Sequence, residues 1–262
     1  MNTLPLHGIL LIDVVTAMLA ILPLTWVQVP QPPRKIAAGA PSSLWGDMRD
    51  GLRYVWSWPG LMLLGLMATV LNFLFNPAFS LTPILVTKHF AGQALQLAWM
   101  NSAWGVGIVV GGLTLGVWGG FRRRMVTSLS GLIGMGAATL FIGLAPATAF
   151  WLALSSMFAA GFMNVMCNGP LNAVFQSKVA PDMQGRVFML IGSVTGAMSP
   201  LGMAIAGPVS DALGVRFWFV VAGTVCVLMG IAASFVPALM NLENTNGQVA
   251  DEAVVPVAVT AE

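Results

Sequence analysis

The chain has 262 residues, of which 57% are hydrophobic and 8% charged, with a formal net charge of +2. Soluble domains carry roughly 25% charged residues, so a water-exposed globule of this size is excluded. So small a net charge also gives no footing for nucleic-acid binding. Cys167 and Cys226 both fall in apolar runs, and His7 and His89 are far apart, so neither a disulfide framework nor a metal site is expected. No cofactor is implied.

Seven windows are apolar over the about 20 residues that a bilayer-crossing helix needs. They are Leu6–Val29, Leu61–Val86, Ala94–Trp118, Met125–Ala145, Ala149–Asn172, Val187–Val209 and Phe217–Met240. In lipid each must satisfy its own backbone, so all are predicted helices, and no strict apolar–polar alternation suggests a barrel. The expected fold class is an all-α membrane protein of about seven transmembrane helices. The segments expected are a first span within 1–29, a linker over 30–59, a six-helix block over 60–240 and a tail over 241–262.

The first window is expected to be a membrane span and not a signal peptide. It lacks a basic start, Asp13 interrupts it, and Pro23 and Trp26 prolong it without a small-residue cleavage site. Pro30, Pro32 and Pro33 favour an extended exit. A short helix capped by Ser42 or Ser43 follows, with Trp45, Met48, Leu52 and Val55 on one face and Asp47, Arg49, Asp50 and Arg53 on others. This pattern predicts an amphipathic connector at the membrane surface, with Tyr54, Trp56 and Trp58 at headgroup level.

The second window carries Asn72 and Asn76, flanked by Phe73 and Phe75. The third carries Asn101 and the glycines Gly105, Gly107, Gly111, Gly112 and Gly116, and the basic run Arg122, Arg123 and Arg124 follows it. In the fifth, Asn164, Asn168 and Asn172 recur every fourth residue and so share one helical stripe, beside Met163 and Met166. The sixth carries Gly192, Gly196, Gly202 and Gly207 with Pro200 between them. Carboxamides are costly against lipid, so these stripes predict either a polar wall offered to a substrate or hydrogen bonds between helices. Small residues at four-residue spacing let backbones approach closely, either as static packing or as surfaces that slide. The tail from Asn241 is polar and acidic, and disorder is expected there.

Nine of the eleven basic residues fall in connections on one side: Arg34, Lys35, Arg49, Arg53, Arg122, Arg123, Arg124, Lys178 and Arg186. Lys88 and Arg216 fall on the other. The positive-inside rule makes the first side cytoplasmic, which places the N-terminus outside and the C-terminus inside a multi-pass protein of the cell membrane. A short, uncharged external N-terminus makes the chain read as the continuation of something begun earlier.

The last six windows divide into two inverted sets of three. Gly112-Leu-Thr-Leu-Gly116-Val-Trp-Gly119 closes the second span of one set, and Gly207-Pro-Val-Ser-Asp211-Ala-Leu-Gly214 closes that of the other. The latter, continued to Arg216, resembles the G-x-x-x-D-x-x-G-x-R loop signature of the major facilitator superfamily (MFS). Gln176-Ser-Lys178-Val-Ala-Pro181-Asp-Met-Gln-Gly185-Arg186-Val187 resembles the connection before span eleven in drug, macrolide and siderophore exporters of the drug:H⁺ antiporter type. Leu52-Arg53-Tyr54 is similar to the run into span seven, and Leu11-Ile12-Asp13 to span six.

The resemblance implies spans six to twelve of a twelve-span fold: a C-terminal six-helix half, a 3+3 inverted repeat, preceded by one extra span. It further implies export of small amphipathic or drug-like compounds by alternating access, with spans seven and ten lining a cavity and spans eight and eleven meeting another half. On this alignment the glycine faces of spans eight and eleven are expected to stand without a partner inside this chain. The partners implied are the lipid bilayer, a small-molecule substrate, and a missing N-terminal half or a second copy. Gly116 occupies the acidic place of the signature in the first set, so Arg122, Arg123 and Arg124 lack their local acidic partner. Asp13 is the one acidic residue well inside an apolar run and is the candidate proton-coupling group, against a structural role in the bundle. No catalytic constellation is present, so an enzyme is not expected. The alternative to a transporter is a transport-inactive membrane fragment or scaffold.

Overall fold

The computed structural model describes residues 11, 14–19, 21–22 and 44–241. The chain forms two compact units, Met1–Ser42 and Ser43–Glu262. In the first, the described residues are helical and exposed. The rest of the predicted first span, Asp13 included, lies outside the described residues, as do the proline-rich start of the linker and the tail beyond Asn241.

The second unit holds α1 (Leu44–Ser57), α2 (Pro59–Ser80), α3 (Ala94–Trp118), α4 (Arg124–Leu144), α5 (Phe150–Lys178), α6 (Pro181–Leu213) and α7 (Val215–Ser234). Helices α2 to α7 are each long and apolar enough to cross a membrane, and no strand occurs among the described residues. Proline and glycine set the boundaries. Pro59 forces the preceding residue out of helical geometry, and Trp58 is extended (φ −119°, ψ 95°), which separates α1 from α2. Pro181 likewise opens α6 at its first turn. Gly119 (φ 77°) and Gly214 (φ 86°) end α3 and α6 in the positive-φ region where a Cβ is unwelcome.

Two spans are interrupted within their predicted windows. The second ends at Ser80 and continues through Thr82–Ile84 into a π-helical turn, Leu85–His89. The last stops at Ser234 and resumes as the short helix Pro237–Met240, because Pro237 has no N–H to continue the ladder and its ring collides with the carbonyl four residues back.

The six spans form an arc in the neighbour order α3, α5, α4, α7, α2, α6. Exchanging the first three spans for the last three turns this order into its own reverse, the property expected of an inverted repeat about an axis between α4 and α7. Close contacts obey the same exchange. A Cβ on Gly136 would meet Val227 N at 2.8 Å, and one on Gly223 would meet Leu140 N at 2.5 Å. A Cβ on Gly143 would meet Val220 N at 2.8 Å, and one on Gly230 would meet Ile133 Cγ1 at 2.6 Å. At the flanks, Gly107 lies against the carbonyl of Phe158 in α5, and Gly202 lies against the carbonyl of Phe73 in α2. The sequence offset that relates Gly112 to Gly207 also relates Gly107 to Gly202.

Among the described residues, polar bonds between the spans run mainly to backbone carbonyls. Ser128 Oγ donates to Cys167 O at 2.7 Å, Cys226 Sγ to Leu132 O at 3.2 Å, and Trp218 Nε1 to Leu74 O at 2.9 Å. Both cysteines are free and buried. Packing is unequal along the arc. In the most apolar stretch of each helix 61% of α4 is buried, but 17% of α3 and 6% of α6. The two ends of the arc are its least covered helices.

Helix α1 is docked more firmly than a surface connector requires. Tyr54 and Val55 are buried, and Tyr54 Oη accepts a hydrogen bond from Ala180 N at 3.4 Å. Gly51 sits so close to the backbone of Arg186 that a Cβ there would lie 3.3 Å from its carbonyl oxygen. Asp50 pairs with Arg186 at 3.5 Å. Tyr54 is therefore buried within the protein, its ring filling the angle between α1 and the α5–α6 turn. Trp56 is 69% exposed.

Candidate functional site

Asn72, Asn76 and Asn168 each direct a donor within their own helix. Asn72 Nδ2 donates to Ala68 O at 2.9 Å, and Asn76 Nδ2 donates to Asn72 O and Oδ1, both at 3.0 Å. Asn168 Nδ2 donates to Asn164 O at 3.0 Å. The one contact of these groups to another helix among the described residues is Asn164 Nδ2 to Met135 Sδ at 3.7 Å, a weak acceptor. Asn72, Asn76 and Asn164 are half-buried, whereas Asn101, Asn168 and Asn172 are exposed. Among the described residues the structure thus shows no hydrogen bond between an amide of one stripe and an amide of the other. Their helices do share an apolar cluster, in which Met67 and Phe75 of α2 join Cys167, Val174 and Phe175 of α5.

The candidate interface glycines divide into two groups. Gly107, Gly111 and Gly202 are pressed against neighbouring backbones of the same chain, as Gly111 is against Phe162. Gly105, Gly112, Gly116, Gly192, Gly196 and Gly207 have open space where a Cβ would stand. Each end helix of the arc therefore has one sealed glycine face and one open one. Pro200 lies in the interior of α6, and its missing N–H weakens the ladder there.

The signature residues lie at opposite ends of the bundle. Arg216, in the first turn of α7, donates from Nε to Gly143 O at 2.8 Å and from Nη2 to Leu144 O at 3.1 Å. These carbonyls end α4, where the partial negative charge of the helix gathers and no intrahelical donor remains. His89 Nε2, 3.0 Å from Ala145 O, completes the cap. Asp211 and Gly214 are exposed. At the other end Arg122, Arg123, Arg124 and Gly185 are exposed, and Arg186 faces α1. Phe121 N is held by Thr127 Oγ1 at 2.8 Å, which closes the turn that presents the three arginines.

Sequence reasoning missed the partners of Arg216, the role of His89 and the contacts of Gly161 with the Trp104 carbonyl and of Gly131 with the Cys167 backbone. Glycine spacing was the available signal for the last two. Nothing local marked the first two, whose partners are distant in sequence.

The family model of the Major Facilitator Superfamily matches residues 3–203. Macrolide efflux protein A of Streptococcus pyogenes is 26% identical over 238 residues, which cover 91% of this chain and 58% of that protein. Macrolide efflux protein A of Enterococcus faecalis is 27% identical over 198 residues, covering 76% of this chain and 61% of that protein. Multidrug efflux pump Tap of Mycolicibacterium fortuitum is 31% identical over 196 residues, covering 74% of this chain and 47% of that protein. The chain thus spans about half to three-fifths of the length of these relatives. Six membrane-crossing helices in a self-reversing arc and a family match over most of the length agree: the chain is a multi-pass membrane protein that belongs to the Major Facilitator Superfamily.

Proposed function

We propose that the chain acts as the C-terminal half of an exporter of small amphipathic, drug-like compounds that works by alternating access. The observation that carries this reading is the pairing of sparse burial on α3 and α6 with amide stripes on α2 and α5 that do not bond to each other. A second half, preceding in the same polypeptide or supplied by another, covers the open glycine faces. The rocking of two halves about a midplane site is the mode of such transporters, and open Gly112, Gly116, Gly192 and Gly196 give the moving surfaces little to catch on. Asn72, Asn76, Asn101, Asn164, Asn168 and Asn172 supply donors and acceptors to the substrate, with the methionines beside them as adaptable apolar surface. The names of the efflux relatives support export as the direction.

The test is macrolide accumulation in susceptible cells that hold the assembled transporter. Asn168→Leu with Asn172→Leu weakens export about tenfold, the equivalent of one or two amide hydrogen bonds at roughly 1 kcal/mol each, with no change in protein amount. Export unaffected by both substitutions would show that this stripe faces lipid or structure and not cargo.

The arginine-bearing end lies in the cytoplasm on this reading. A membrane-impermeant maleimide applied to intact cells labels Lys88→Cys, and labels Arg123→Cys and Gly185→Cys after permeabilisation alone. The two native cysteines are buried and give a low background.

A further inference from the structure

Docking removes one face of α1 from competition for the membrane and defines another. Successive helical residues turn by about 100°, so Met48, Leu52 and Trp56 form one stripe. All three are exposed, at 43%, 44% and 69%, while Gly51, Tyr54 and Val55 on the adjoining stripe are buried against the α5–α6 turn. Arg49 and Arg53, both exposed, flank the apolar stripe on its other side. Round the helix the order is thus protein, apolar, basic, water.

We propose that this stripe of α1 docks on anionic phospholipid, with Met48, Leu52 and Trp56 below the headgroups and Arg49 and Arg53 on their phosphates. Two observations name this occupant. Helix α1 runs into the membrane-crossing α2 through Trp58 alone, so its C-terminal turn stands at the bilayer boundary by covalent necessity. The charge that borders the stripe is positive, and basic flanks beside an apolar face suit an anionic leaflet. The same helix holds the α5–α6 turn through Asp50, Gly51 and Tyr54, so α1 pins that turn to the leaflet. The inference needs the bundle to span a bilayer but does not rest on drug export, and its test contains no transport step.

The experiment places an environment-sensitive fluorophore at Leu52→Cys, and separately at Asp50→Cys on the opposite face, in the full chain reconstituted in vesicles. The vesicles are phosphatidylcholine with or without phosphatidylglycerol. With phosphatidylglycerol present, the label at position 52 is quenched by spin-labelled lipid and shielded from aqueous iodide, and the label at position 50 shows the reverse. Neutral vesicles, or Arg49→Gln with Arg53→Gln, lower the docked-to-undocked ratio roughly 30-fold, since each arginine near an anionic surface contributes about 1 kcal/mol. Iodide quenching at position 52 without lipid quenching, shielding from both quenchers (a protein partner on the stripe), or indifference to phosphatidylglycerol and to the arginine substitutions would each overturn the proposal. Monodisperse elution of the variants establishes that they are folded.

Discussion

Gly107→Ala and Gly202→Ala each destabilise the bundle by about 1–3 kcal/mol, and by similar amounts. The added methyl of the first enters the space held by the Phe158 carbonyl, and that of the second would lie 2.5 Å from the Phe73 carbonyl oxygen. A backbone carbonyl cannot rotate away as a side chain can, so the helices must separate and lose dispersion contact along their length. Gly105→Ala, Gly112→Ala and Gly196→Ala meet open space and instead gain helix propensity. The thermal midpoint of the purified chain in detergent separates the two groups. A fall for the open glycines equal to that for Gly107 and Gly202 would contradict the division of each end helix into a sealed and an open face. Introduced into the assembled transporter, bulkier residues at the open positions are expected to impair export and not folding.

Arg216→Ala lowers stability by about 2 kcal/mol, the scale of hydrogen bonds from a charged donor to carbonyls that would otherwise stand unsatisfied. Its two bonds to Gly143 O and Leu144 O join the start of α7 to the end of α4, the pair of helices on which the repeat axis lies. Arg216→Lys recovers part of the loss, because an ammonium reaches one carbonyl but lacks the fork that spans two. Unfolding in a denaturing-detergent titration measures both variants, and equal midpoints for Arg216→Ala and the parent chain would remove the cap from the account.

Six of the seven predicted spans are helices among the described residues, and their kind was legible because lipid leaves the backbone no alternative to helix. For α3 the predicted window and the observed helix coincide at Ala94–Trp118. Elsewhere hydropathy registers the part of a helix that lies in hydrocarbon and not the part that leaves it. The windows ending at Asn172 and starting at Val187 therefore undershoot α5 and α6, which run on to Lys178 and back to Pro181. The repeat was visible as two glycines at equal places, and the structure gives the reason: the eighth-place residues Gly119 and Gly214 both terminate helices at positive φ.

The partner of each conspicuous residue was not legible. Glycines that look alike along α3 separate into sealed and open because α5 lies on one side of that helix. The spacing of Asn164, Asn168 and Asn172 placed them on one stripe, but nothing in it shows that Asn168 turns its donor to the carbonyl of Asn164 and not to a neighbouring helix. The Tyr54 ring was expected among headgroups from the amphipathic spacing of α1, which says nothing of a protein partner. Its burial depends on Ala180 and the α5–α6 turn, over a hundred residues further along the chain.

The most direct measurement of the central claim is accumulation of a labelled macrolide in susceptible cells that express this chain together with an N-terminal half taken from one of the efflux relatives. The account predicts lower accumulation than in cells with either half alone, and its return to the higher level on Asn168→Leu with Asn172→Leu. Unchanged accumulation, with both halves present in the membrane and co-purifying, would contradict it.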